Sequence, residues 1–260
     1  MRTSNPAFRA GIFEGAMRDL APRAAVSTTM TVRGTVIKTG VTLSFCVLTT
    51  GVAYAFMRDP ATRQVATISG LGGLIVGLVL AIVLAFKPAA ARFLAIPYAV
   101  CEGLFLGVIT YFAANNGLRA GKAIGEAGVF NAVAMTFGTM AAMLTGYASG
   151  LMKPNAMVRN VIMIATAGLM FAYLINMVLR LIPGMSGIGF IHSAGPFGIG
   201  FSVFVVILAA ANLLLDFHFI EEGVERGAPK SMEWYGSYAL LVTLVWLYIE
   251  FLRLLSKLRK

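Results

Sequence analysis

Seven long apolar stretches leave this chain very few folds to choose from. They run roughly over Val36–Met57, Ala66–Phe86, Leu94–Ala114, Gly128–Tyr147, Val161–Leu181, Phe197–Phe219 and Tyr235–Leu255. Each is about as long as the 20-residue helix that crosses a bilayer. Lipid offers backbone groups no hydrogen-bond partner, so a spanning stretch is either a helix or a strand of a closed barrel. Barrel strands alternate apolar and polar residues over about ten positions. These stretches are apolar at consecutive positions, which excludes the barrel. The fold class expected is therefore all-α, a polytopic membrane bundle of about seven helices. Charge content agrees: charged residues make up 12% of the chain, against roughly 25% in soluble domains.

The domain organisation expected is a polar basic N-terminal arm over residues 1–34 and a transmembrane domain over 35–260. The arm carries Arg2, Arg9, Arg18, Arg23 and Arg33 and no apolar core of a signal peptide. Phe8, Ile12, Phe13 and Leu20 would lie on one face of a short amphipathic helix over Ala7–Leu20, and a solvated arm is the equal alternative. The net charge of +10 does not point to nucleic acid. The basic residues sit in the arm and at the ends of apolar stretches, where they act as orientation signals and contacts to anionic lipid. With the N-terminus cytoplasmic, that side receives Lys38, Lys87, Arg92, Lys153, Arg159, Arg226 and Lys230. The other side receives Arg58, Arg63, Arg119, Lys122, Arg180 and the C-terminal Arg253, Lys257, Arg259 and Lys260. The first helix favours the N-inside arrangement, in an inner or plasma membrane.

Glycines recur four apart at Gly73 and Gly77, and again at Gly103 and Gly107. That spacing puts small residues on one helix face and lets backbones approach. Cys46 and Cys101 lie inside apolar stretches and read as small hydrophobes without a disulfide framework.

A charge inside a span costs roughly 2.5–3.5 kcal/mol at a helix centre on insertion scales, so each needs a reason. Glu102 stands among apolar neighbours in the third stretch and reads equally as a helix staple or as part of an ion or proton pathway. Asp216 lies late in the sixth, four residues after Asn212 and on the same face. His218 follows it as a lone histidine, with a pH-modulating role open to it. Glu221, Glu222 and Glu225 read as a solvated helix end. Glu250, late in the seventh stretch, reads either as a local pair with Arg253 or as a carboxylate facing the bundle centre. His192, in the glycine-rich Pro183–Pro196 connection, lacks the further ligands a zinc or copper site needs. No catalytic motif of a soluble enzyme is present, and a single Asp in the spans does not supply a di-aspartyl protease site. No enzyme activity and no cofactor are expected.

Several runs carry a resemblance. Gly195-Pro196-Phe197-Gly198-Ile199-Gly200-Phe201-Ser202, Leu215-Asp216-Phe217-His218-Phe219-Ile220-Glu221-Glu222-Gly223 and Met232-Glu233-Trp234-Tyr235 are three of them. Glu225-Arg226-Gly227-Ala228-Pro229-Lys230, Trp246-Leu247-Tyr248-Ile249-Glu250-Phe251, Met30-Thr31-Val32-Arg33-Gly34-Thr35-Val36 and the opening Met1-Arg2-Thr3-Ser4-Asn5-Pro6 complete the set. With these runs the chain resembles the bacterial YccA-like branch of the Bax inhibitor-1 family, along essentially its whole length. The resemblance implies a seven-helix fold with the last helix near the bundle centre. It also implies a pH-sensitive calcium or other cation leak, closed by paired carboxylates on the sixth and seventh helices, with calcium as the transported ion near Asp216. A non-transporting alternative, a modulator of a membrane-bound protease or of stress and cell-death machinery, is implied by the same branch. The family pattern falls on Asp216 and on Glu250, the latter a Glu where the pattern has Asp. Helix depth instead places Glu102 beside Asp216, and both pairings stay open on sequence.

Overall fold

The computed structural model describes residues 29–118, 121–182 and 187–259. The amphipathic stretch expected over Ala7–Leu20 lies outside them. All seven apolar stretches form long helices: α1 (Val32–Arg58), α2 (Arg63–Phe86), α3 (Ala91–Asn115), α4 (Gly125–Ala148), α5 (Ala156–Leu181), α6 (Pro196–Glu225) and α7 (Met232–Leu258). A 3-10 turn at Pro88–Ala90 leads into α3, and a helical turn at Gly189–His192 precedes α6. All seven long helices have the length and hydropathy to cross a bilayer. Below, the face of the bundle where α1 begins is the near face, and the other is the far face.

Helix ends follow local chemistry. Thr31 caps α1 by accepting from Gly34 N, and Asn155 caps α5 by accepting from Val158 N, each satisfying one orphan donor of a first turn. Pro196 starts α6 where its missing N–H costs nothing. Gly227, at φ +64°, ends α6. Ala228 N donates to Gly223 O at 2.9 Å and Gly227 N to Val224 O at 3.1 Å, the two bonds of a Schellman cap. The Ala228 carbonyl this cap presents accepts from Met30 N at 2.7 Å. The terminator of α6 thereby fixes where the chain enters α1.

The core is built on α7, whose Leu240, Leu241, Leu244, Leu247, Phe251 and Leu252 are all buried. It is wrapped by α1, α3, α4 and α6, whereas α5 packs on α6 at the periphery. The glycine spacing does what it predicts. A Cβ on Gly73 would stand 2.6 Å from the Cys101 carbonyl, so α2 meets α3 backbone to backbone. A Cβ on Gly107 would stand 2.6 Å from the Thr50 carbonyl, so α3 meets α1 in the same way. Close approach of this kind replaces the hydrophobic effect as the source of helix association in lipid.

Candidate functional site

Polar side chains inside the bundle fall into three layers. The middle layer holds Asp216. It lies nine residues before the end of α6 at Glu225, about 14 Å along the axis at 1.5 Å per residue. Thr243, at matching depth on α7, donates from Oγ1 to Asp216 Oδ2 at 2.6 Å. The same hydroxyl lies 3.3 Å from the Ala239 carbonyl. One turn earlier on α6, Asn212 donates to Thr166 Oγ1 of α5 at 2.8 Å. Glu102 on α3 occupies this layer too, with its carboxyl against the Tyr98 hydroxyl of the preceding turn and against Gly77 of α2. Aromatic rings connect the two acids' surroundings. Tyr98 packs edge-on against Tyr238 with centroids 4.9 Å apart, Tyr238 lies 5.8 Å from Tyr235, and Tyr235 lies 5.6 Å from Phe219.

The far layer holds Glu250, 1% exposed. Arg253 Nη1 donates to its two oxygens at 2.9 and 3.1 Å, and the Tyr173 hydroxyl of α5 donates to it at 3.3 Å. Arg253 also donates to that hydroxyl at 2.8 Å. The local Glu–Arg pairing read from the sequence is thus realised, and Tyr173 closes the triad from α5. Nearby, Lys257, also buried, donates from Nζ to the carbonyls of Ile191 and Gly198 and to Ser202 Oγ, each at 2.9 Å. It ties the end of α7 to the start of α6.

The near layer was not legible as a site. Glu233, 1% exposed, accepts from Thr31 N at 3.0 Å and Thr31 Oγ1 at 2.9 Å and is ion-paired with Lys38. On sequence, an acid in the first turn of α7 is merely a complement to the helix dipole. Its burial arises because Gly34, where a Cβ would collide with the Glu233 carboxyl, lets α1 close over it. Glu221 lies at the solvated helix end, its side chain 33% exposed. It pairs with Lys153 at 2.5 Å and accepts from the Tyr147 hydroxyl. Glu222 keeps to the expectation with an exposed pair to Arg226 one turn on. His218 is not alone either: Arg159 Nη1 lies 2.9 Å from its Nε2, and the Tyr147 hydroxyl 3.5 Å from its Nδ1.

Asp216, Glu250 and Glu102 are therefore held separately, and no hydrogen bond or ion pair joins any two of them. Thr243 and Glu250 stand seven residues apart on α7, about 10 Å by helical rise, which puts Glu250 well beyond the level of Asp216. Glu102 shares the level of Asp216 but turns to Tyr98. Among the described residues no three His, Cys, Asp or Glu side chains converge as metal ligands. The side chain of His192 lies outside the described residues.

Chemically, the four acids differ in what their partners permit. Glu250 and Glu233 are ion-paired with Arg253 and Lys38. Asp216 faces a neutral hydroxyl, which donates to a carboxylate or accepts from a carboxylic acid by rotating its proton. Asp216, against Thr243, and Glu102, against the Tyr98 hydroxyl, are the acids whose surroundings accommodate both protonation states.

Seven helices long and apolar enough to span, six of them arranged about a buried α7, define a multi-pass α-helical membrane protein. The chain belongs to the Bax inhibitor 1 like family, which it matches over residues 5–260. Neither a curated protein nor a solved structure matches it.

Proposed function

We propose that the protein is a cation leak pathway, with calcium or protons as the cargo, controlled by protonation of Asp216. The observation that carries this reading is the Asp216–Thr243 contact. It is an intramembrane carboxyl joined to a neutral, reversible partner at the contact between α6 and the central helix. An intramembrane acid of this kind marks an ion or proton route by default, because its insertion cost is otherwise without return. Protonated, Asp216 and Thr243 form a neutral pair that joins α6 to α7. Ionised, the carboxylate attracts a cation into the middle layer. Glu102, level with it, is the second acid of the pathway. Glu250, clamped by Arg253 and Tyr173, bounds the pathway on the far side. His218 joins the near end of α6 to α5 through Arg159. A resident calcium site would need six to eight oxygens, so calcium enters this scheme as cargo.

The orientation proposed is a cytoplasmic near face in an inner or plasma membrane, as the basic arm and the first helix favour. Arg253 and Lys257 support it. They count against an N-inside arrangement as loop charges, but both are engaged by internal partners.

A second reading has its own observation. Met30 and Thr31 are bound to the α6–α7 connection and to Glu233, so the arm leaves the bundle beside that connection. A membrane-bound protease could be engaged there without transport. Calcium and proton flux into liposomes holding the purified protein separates the two readings. Flux whose pH dependence vanishes in Asp216→Asn supports the pathway. Its absence at every pH, with the fold intact, supports the regulator.

A further inference from the structure

Helices α1 and α4 both pack on the central helices, yet they make no extended contact with each other. Between them runs a groove in two continuous parts. The deeper part has a volume of about 160 Å³, is walled by Val47 and Thr50 of α1 and by Val133 and Phe137 of α4, and is floored by Leu244 and Tyr248 of α7. The second part, about 370 Å³, shares Val47, Thr50, Val133 and Tyr248 with the first and continues to Arg58 and Glu126 at the far face. Val47, Val133 and Phe137 are 54%, 37% and 40% exposed, so the groove opens sideways, toward the bilayer.

Its polar atoms are turned away. Thr50 donates to the Cys46 carbonyl and Thr136 to the Ala132 carbonyl, each at 2.8 Å within its own helix. The Tyr248 hydroxyl is taken by Thr110 at 3.0 Å. What the deep part offers a ligand is methyl, ring and aliphatic surface. For scale, a dry apolar cavity of about 150 Å³ holds an apolar guest of benzene size. The mouth is different in kind. Arg58 and Glu126 form a 3.1 Å pair with side chains 63% and 70% exposed, and a pair so exposed is easily reorganised.

The geometry points to a binding site for one bilayer phospholipid with an amine headgroup: an acyl chain lies in the α1–α4 groove, its phosphate meets Arg58 and its ammonium meets Glu126. The distance fits, since Thr50 and Arg58 are eight residues apart on α1, about 12 Å of helix. Both charges of the mouth find a complement in a zwitterionic headgroup. An anionic headgroup would satisfy Arg58 and be repelled by Glu126. This site is independent of the Asp216 pathway.

The test uses the full chain in nanodiscs containing phosphatidylethanolamine with a photoactivatable diazirine in mid-chain. Crosslinks should concentrate on Val47, Val133 and Phe137, several-fold above the more exposed Ile68 and Leu78 of α2. Val133→Trp, which fills the groove, should remove the excess. If that variant does not fold, the distribution in the unmodified chain decides alone. Native mass spectrometry then reads the headgroup. Glu126→Gln should shift retained lipid from phosphatidylethanolamine toward phosphatidylglycerol, and Arg58→Gln should lower retention of both. Crosslinks spread evenly over the lipid-facing surface, or a headgroup ratio indifferent to Glu126→Gln, would each overturn the proposal.

Discussion

Thr243 on the central helix donates a 2.6 Å hydrogen bond to Asp216 on α6, and among the described residues the acid has no cationic partner. Glu250, eight residues before the end of the same central helix at Leu258, is clamped by an arginine. The two acids of the family pattern thus occupy different electrostatic settings at different depths, and they should behave differently when neutralised.

For Asp216 the expected outcome is loss of pH control. Asp216→Asn keeps size and hydrogen bonding while fixing neutrality, so any cation flux should become flat with pH. Thr243→Val leaves the carboxyl without its donor and should cost about 1–3 kcal/mol of stability. Thr243→Ser should restore both stability and pH response. Flux assays at several pH values, with thermal melting alongside, check this. A pH profile unchanged in Asp216→Asn would remove Asp216 as the switch.

Glu250 should report on stability first. Glu250→Ala strands Arg253 beside Tyr173, and breaking a buried pair from one side costs about 3–5 kcal/mol. The double change Glu250→Ala with Arg253→Met should cost less than Glu250→Ala alone, because no uncompensated charge remains. Melting temperatures of the two variants in detergent decide the point. A double variant less stable than the single would show that the pair acts through something other than charge balance.

Helix approach at Gly107 should be equally exacting. Its Cβ position lies 2.6 Å from the Thr50 carbonyl, a backbone atom that moves only if α1 moves. Gly107→Val should destabilise by about 1–3 kcal/mol or more, as overpacking does. Gly72, whose Cβ position is open, is the control, and Gly72→Ala should be neutral or mildly stabilising. Thermal melts of the two would contradict this if Gly107→Val matched the parent.

Topology gives a prediction independent of the acids. An odd number of spans places Met30 and Leu258 on opposite sides of the membrane. In a background lacking Cys46 and Cys101, cysteines introduced at Lys230 and at Leu258 should label from opposite sides. Labelling of both from one side would remove a span.

Much of this architecture is determined by the sequence alone, because lipid makes a one-dimensional demand. A run of about 20 apolar residues has to become a helix, so seven helices and their approximate ends follow without knowledge of any contact. Gly73, Gly77, Gly103 and Gly107 mark close-packed faces for the same reason: a missing Cβ is a local property. The Glu250–Arg253 pair was legible because both residues share one helix and three positions separate them. The partnerships between helices were not. Thr243 as the partner of Asp216, Tyr173 as the third member of the Glu250 group, and Arg159 and Tyr147 beside His218 come from different helices. Which residues meet there depends on rotation and depth, and hydropathy is blind to both. Glu233 shows this most clearly. On sequence it is a helix-start acid next to a loop. In the folded chain it is buried, because Gly34, Thr31 and Lys38, some 200 residues earlier, close over it.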